Sequence, residues 1–309
     1  MIQRHDQLSE APAQLPDPIA AMVTDTSLAA GRRAFIRSLG LGAMGVAVAG
    51  AATPAGAQQA VNDVDIFNFA LNLEYLEAEF YQRAAFGQGL QASDVDGTGT
   101  PGTVSGGRQI AFSDANIRKI AVELANDELA HVRTLRAALG SNRVARPAID
   151  INLSFTLAAR AAGLVGPNDT FDAYANDMNF LLAAFIFEDV GVSAYLGGGP
   201  LLSDPANLSG AARILAVEGY HAGAIRTELY VNGFYSQTQA IANARNNLNP
   251  GTNIDQGIGD VNTANLVFTN PTTGVTPART PQQVLNIVYL NADTRPTGFF
   301  PNGLNGTIR

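Results

Sequence analysis

Glu and His recur in this chain in an ordered pattern. Glu128-Leu129-Ala130-His131 and Glu218-Gly219-Tyr220-His221 are two Glu-x-x-His sequences. Residues three apart lie on one face of a helix, so each pair can aim a carboxylate and an imidazole at one metal ion. Upstream of each pair stands another Glu with a Tyr seven positions on: Glu74 with Tyr81, and Glu188 with Tyr195. Seven residues make two helical turns, which puts each Tyr on the face of its own Glu. The order Glu-x6-Tyr, Glu-x-x-His, Glu-x6-Tyr, Glu-x-x-His is a twofold internal repeat. The chain has nine Glu and three His, the third being His5. Random placement would put Glu at this offset before two of the three His roughly 0.3% of the time.

The chemistry follows from the residue types. A helical Glu is ordinarily solvated, but Glu188 follows the run Phe180-Leu181-Leu182-Ala183-Ala184-Phe185-Ile186-Phe187. A carboxylate embedded there is costly unless neutralised. Two divalent cations balance the charge of Glu74, Glu128, Glu188 and Glu218. The chain contains no Cys, so thiolate zinc, iron–sulfur and thiol-nucleophile chemistry is excluded. Carboxylate and imidazole suit Mn or Fe. Two such metals about 3.5–4 Å apart can exchange two electrons with peroxide or oxygen. Tyr81 and Tyr195 are placed to hydrogen-bond ligands, though a helical Tyr is as readily plain core. Asp127 adjoins the ligand face and could orient a histidine. Glu77, one turn beyond Glu74, is the rival ligand on the first helix.

The positioning elements are helices. Apolar residues recur at helical spacing over 61–86, where Gly87 supplies a stop. A second helix is predicted over 114–139, capped by Ser113 and ended by Gly140. A third spans 170–196, capped by Asp169 with Asp172 in its first turn, and Gly197-Gly198-Gly199-Pro200 ends it. Asp204-Pro205 opens a fourth that starts at 206 or 209 and runs to 231. Each is about 25 residues, a bundle length and not that of an ordinary globular helix. A short helix is predicted around 155–162. Residues 237–309 are rich in Asn, Thr, Gly and Pro and read as an extension wrapped on the bundle. One helix is expected there over 281–290, capped by Thr280, and Phe299-Phe300-Pro301 reads as a packed turn.

The chain has 309 residues, is 46% hydrophobic and carries a net charge of −8. It lacks a basic block, which argues against a nucleic-acid partner. Gly31-Arg32-Arg33-Ala34-Phe35-Ile36-Arg37 resembles a twin-arginine export motif. The apolar stretch 39–52 is short for a membrane span, and Ala55-Gly56-Ala57 offers a cleavage site. The expected division is a signal peptide over 1–57, a helical bundle over 58–236 and the extension over 237–309. The expected location is periplasmic or secreted, with no membrane insertion once the signal is removed.

One Glu from each of two helices with a Glu-x-x-His from each of the other two resembles the ferritin-like di-metal carboxylate superfamily. The Glu-x6-Tyr spacing is similar to that of bacterioferritin and rubrerythrin. Leu73-Glu74-Tyr75-Leu76-Glu77-Ala78-Glu79-Phe80-Tyr81 resembles the desiccation-related ferritin-like proteins, as do Arg279-Thr280-Pro281 and Gly298-Phe299-Phe300-Pro301-Asn302-Gly303. The resemblance implies an all-α protein, a ferritin-like antiparallel four-helix bundle with a long loop-rich C-terminal extension. It implies stress association and metal ligands Glu74, Glu128, His131, Glu188, Glu218 and His221, with Glu128 and Glu218 bridging. The leading expectation is a di-manganese or di-iron oxidoreductase acting on a small oxidant, peroxide or oxygen. The alternatives are a metal-stabilised protective protein and, less well fitted, iron storage. A homo-oligomer is compatible with either. A rubrerythrin-type peroxidase with its own electron-transfer domain is excluded by the missing Cys.

If the export motif operates, secreted protein begins near Gln58, and the double change Arg32→Lys, Arg33→Lys holds full-length precursor in the cell. N-terminal sequencing of exported and retained material checks this, and an intact Met1 on exported protein would refute it.

Overall fold

The computed structural model describes residues 61–309, and the export motif, the apolar stretch and the cleavage site lie outside them. The regular secondary structure of the described residues is almost entirely helical. Its four long helices are α1 (Asp63–Phe86), α2 (Ala115–Leu139), α4 (Asp177–Gly198) and α5 (Pro205–Val231). The shorter ones are α3 (Leu153–Ala161), α6 (Tyr235–Leu248) and α7 (Pro281–Val288). α1 packs along α2 and α4 along α5, and the two pairs join through α1–α4 and α2–α5 contacts. Two two-residue strands, β1 (Val104–Ser105) and β2 (Ile149–Asp150), pair in parallel where the loops after α1 and α2 meet.

Local chemistry sets most helix ends. Asn62 and Asp65 form a reciprocal capping box at the start of α1, and Gly87 closes it at φ 74°. α2 is capped by Asp114, which accepts from the backbone N–H groups of Asn116 and Ile117. Ser113, the predicted cap, instead gives its backbone N–H and hydroxyl to Asp177. α4 begins at Asp177 under an Asn176 cap, seven residues later than predicted. The reason lies in Asp172. It accepts from the Tyr174 N–H and pairs with Arg108, which spends residues 170–176 on a turn.

The Gly197-Gly198 stop is also displaced, since α4 runs through both glycines before a 3₁₀ turn at Gly199–Leu201. Gly197 is required by a crossing segment: a methyl group there would lie 1.7 Å from the Arg279 carbonyl oxygen. α6 was not expected, because its Asn- and Gln-rich sequence carries little apolar periodicity. It is held by Ile241, Ala242 and Arg245, all buried.

The extension is fastened to the bundle in two ways. Phe299 packs its ring against Phe155 and Phe187, with centroids 5.2 and 4.9 Å away. Its backbone oxygen accepts from the Asp150 N–H at 3.0 Å. Beneath α4, five buried charged groups form a chain: Arg226–Asp189 at 2.7 Å, Asp189–Arg245 at 3.0 Å, Arg245–Asp255 at 2.7 Å and Asp255–Arg279 at 2.5 Å. Arg245, Asp255 and Arg279 belong to the extension, so ion pairing ties it to α4 and α5.

Asp255→Ala leaves two buried guanidinium groups short of a carboxylate and should cost about 3–5 kcal/mol. Urea unfolding measures this as a lower midpoint at unchanged slope. Asp293→Ala, in the exposed Asp293–Arg295 pair, is the control that should leave the midpoint in place.

Candidate metal centre

α1, α2, α4 and α5 each turn a buried carboxylate into the bundle interior: Glu74, Glu128, Glu188 and Glu218 are at most 1% exposed. His131 and His221 join them, with ring centroids 6.0 Å apart. The six residues form two groups, each able to offer one ligand atom per residue within 4.8 Å of the others. One is Glu74, Glu128, His131 and Glu218, and the other is Glu128, Glu188 and His221. Glu128 belongs to both groups, which is the position of a bridging ligand. Glu218 belongs to the first alone, a departure from the expected symmetry. Its Oε2 faces Gly191, where a methyl group would fall 2.3 Å away.

The cluster's own hydrogen bonding is incomplete. Glu74 Oε2, Glu128 Oε1, Glu188 Oε2, both Glu218 oxygens and His221 Nδ1 are buried without a hydrogen-bond partner. Such atoms are expensive to bury unless something cationic satisfies them. His131 Nδ1 stands 3.3 Å from Glu74, 3.3 Å from Glu128 and 3.4 Å from Glu218. One nitrogen nearly equidistant from three carboxylates marks where positive charge belongs. His221 Nδ1 lies 3.0 Å from Glu128 and 3.6 Å from Glu188, a contact poorly aligned for hydrogen bonding. The donor set is oxygen and imidazole nitrogen only, which fits two Mn or Fe ions.

Electrostatics tell the same story. Burial drives the carboxyls of Glu74 and Glu188 well above their ordinary range, and neighbouring carboxylates add to it against the pull of His131 and His221 respectively. Burial, then Glu128, raises Glu218 too. Burial also opposes ionisation of Glu128, but contacts with His131 and then His221 outweigh it and hold that carboxyl low. Burial disfavours charge on the imidazoles, yet Glu74 and Glu128 push His131 far up, and Glu128 and Glu188 carry His221 up to about 10. The surrounding carboxylates thus favour positive charge on both rings when no metal is bound.

The two tyrosines do touch the cluster, but crosswise. Both hydrogen-bond an expected ligand, each on the other half of the repeat: Tyr81 donates to Glu188 and Tyr195 donates to Glu74. Residues two turns apart are separated by about 10.5 Å along the axis, too far for a direct bond, whereas the helix alongside brings the other half's Glu within reach. Asp127 takes the orienting position: its Oδ2 lies 3.2 Å from His221 Nε2, leaving Nδ1 toward the cluster. Glu77 is buried against the carboxylates but belongs to neither group. Sequence reasoning missed Gly191, although adding 114 to 74, 77 and 81 gives 188, 191 and 195. The repeat thus sets a glycine where its first half has Glu77.

A four-helix bundle with buried carboxylates and imidazoles on facing helices defines a ferritin-like protein. The family model for the ferritin-like domain matches residues 62–231, and the chain belongs to that family. It is 36% identical to the desiccation-related protein PCC13-62 of Craterostigma plantagineum over 171 residues, 55% of this chain and 53% of that one. It is 31% identical to the ferritin-like catalase Nec2 of Nesocodon mauritianus over 270 residues, 80% of this chain and 84% of that one. The chain thus spans about half the length of the first relative and most of the second.

Metal ligation requires neutral imidazoles, so loading the metal-free protein at pH 7 should release at least about two protons per chain. Affinity then rises with pH. Calorimetry of Mn uptake in buffers of different ionisation enthalpy measures the proton count, and uptake without proton release would refute cationic His131 and His221.

Proposed function

We propose that this is an exported ferritin-like stress protein whose paired Mn or Fe ions dispose of hydrogen peroxide. The observation that carries this reading is the set of partnerless, mutually facing carboxylate oxygens at the meeting point of four helices. Glu74, Glu128, His131, Glu188, Glu218 and His221 would hold the metals. The relative of matching length named a ferritin-like catalase supports the same chemistry.

When bound, the metal pair supplies two electrons to one peroxide and recovers two from the next. The balance is two hydrogen peroxide molecules to two water molecules and one dioxygen, with the two protons taken up in the first half returned in the second. The protein's residues fix the geometry for that exchange. Four carboxylates would neutralise two divalent ions in a site buried among the four long helices. Asp127 fixes the tautomer of His221. Tyr81 and Tyr195 each lock one terminal carboxylate through a hydrogen bond, so Glu188 and Glu74 lose little entropy on ligation.

The second reading is a non-catalytic, metal-stabilised protective protein, which the desiccation-related relative favours. Iron storage fits less well, because it needs a closed multisubunit shell. The periplasmic or secreted location belongs to this proposal, as do a small oxidant as partner and self-association.

Manganese-loaded protein should release oxygen from peroxide without added reductant, followed with an oxygen electrode. Glu188→Gln keeps the side chain's shape but removes one negative charge and should abolish release while circular dichroism still reports a folded bundle. Metal-loaded wild type without peroxide or oxygen chemistry would leave the protective reading standing.

A further inference from the structure

The cluster has one side that is not closed. Two apolar cavities approach it, and both are lined by Leu73, Glu77 and Gly191. The first continues past the buried Ile66 and Ala194 to the half-buried Ala70 and Leu202, toward the bundle surface. Its free space is about 30 Å³ for the centre of a water-sized molecule, enough for a single small occupant. The second is lined by buried residues apart from Leu73, with Ile287, Val288 and Phe299 of the extension across one side.

Two features place the inner end of the first cavity. Gly191 lets Glu218 pack directly on the α4 backbone beside Glu77, since a methyl group there would lie 2.3 Å from Glu218 Oε2 and 3.4 Å from Glu77 Oε1. The Glu77 side chain is 6% exposed, and its carboxylate has no hydrogen-bond partner among the described residues. An unpartnered polar group at the inner end of an otherwise apolar cavity is placed to bind something. Apolar walls exclude ions, whose desolvation they cannot repay, and admit small uncharged molecules.

Resting on the peroxide reading above, we propose that this passage between α1 and α4 is the route by which an uncharged oxidant of hydrogen-peroxide size reaches the carboxylate cluster, and that Glu77 is the residue that hydrogen-bonds it on arrival. The repeat breaks at Glu77 and Gly191, where one half carries a carboxylate and the other a bare backbone against which Glu218 packs. Glu77 is then a substrate-binding group and not a seventh structural ligand.

The test uses full-length protein with Ala194→Phe, which fills the passage from α4, and Ala70→Leu, which fills it from α1 should the first fail to fold. Crystals of metal-free protein under xenon pressure should show xenon beside Leu73 and Glu77 in wild type and none in the filled variants. In iron-loaded, reduced protein, the association rate of nitric oxide, a neutral diatomic probe, should fall about tenfold or more in these variants at unchanged iron content. Val288→Phe, in the second cavity, should leave that rate alone. Glu77→Ala should keep its metal and its nitric oxide rate while raising KM for peroxide. Xenon absent from wild type, or a nitric oxide rate unaffected in a variant whose passage is filled, overturns the route. Metal loss in Glu77→Ala overturns its binding role. Nitric oxide association is independent of turnover, so a gated rate without oxygen release keeps the route and rejects the peroxide reading.

Discussion

Five buried carboxylates in one bundle interior are the constraint on which the rest of the structure depends. Glu74, Glu77, Glu128, Glu188 and Glu218 sit where water cannot solvate them, and mutual repulsion adds to the desolvation cost of each. Without metal, the two imidazoles and raised carboxyl pKa values offset part of the charge. A pair of divalent cations does it more completely. The four long helices, their caps and the crossed tyrosines serve to hold the carboxylates together against that repulsion.

The second charged cluster shows a different solution to burial. Asp189, adjacent in sequence to Glu188, points away from the metal centre into a group formed with three arginines and Asp255. Here the protein supplies its own cations and gains a fastening for the extension. Consecutive residues of α4 thus serve opposite faces: Glu188 completes a site that lacks positive charge, and Asp189 joins one that carries an excess of it.

Much of this was legible in the sequence because a helical period constrains few possibilities. Glu-x-x-His at 128–131 and 218–221 sets two ligands on one face whatever the surrounding fold, and the structure brings all six expected residues together. The all-α bundle was legible for the same reason. What sequence could not supply was partnership between helices. Tyr81 and Glu74 share a face, yet the hydrogen bond runs to Glu188 on α4, because axial distance along one helix exceeds lateral distance to the next. The start of α4 was misread because Asp169 and Asp172 have the chemistry of caps but serve turns. α6 escaped notice because tertiary contacts at Ile241 and Arg245, and not amphipathic spacing, hold it in place.

The covering of α4 by the extension has a consequence in time. α4 is long and apolar enough to cross a membrane by composition, and most of it is buried in the folded bundle. Part of that cover arrives late: Arg279 crosses at Gly197, and α7 with Phe299 lies behind Phe187 and Val190. A ribosome adding about 5–20 residues per second needs roughly 4–16 s to travel from the end of α4 to Arg279. For that interval an apolar helix waits beside a half-built bundle without its lid. The nascent chain is then exposed to self-association and misdirected membrane capture, so the stretch between 199 and 279 acts as a delay that a chaperone or rapid pairing with α5 must bridge.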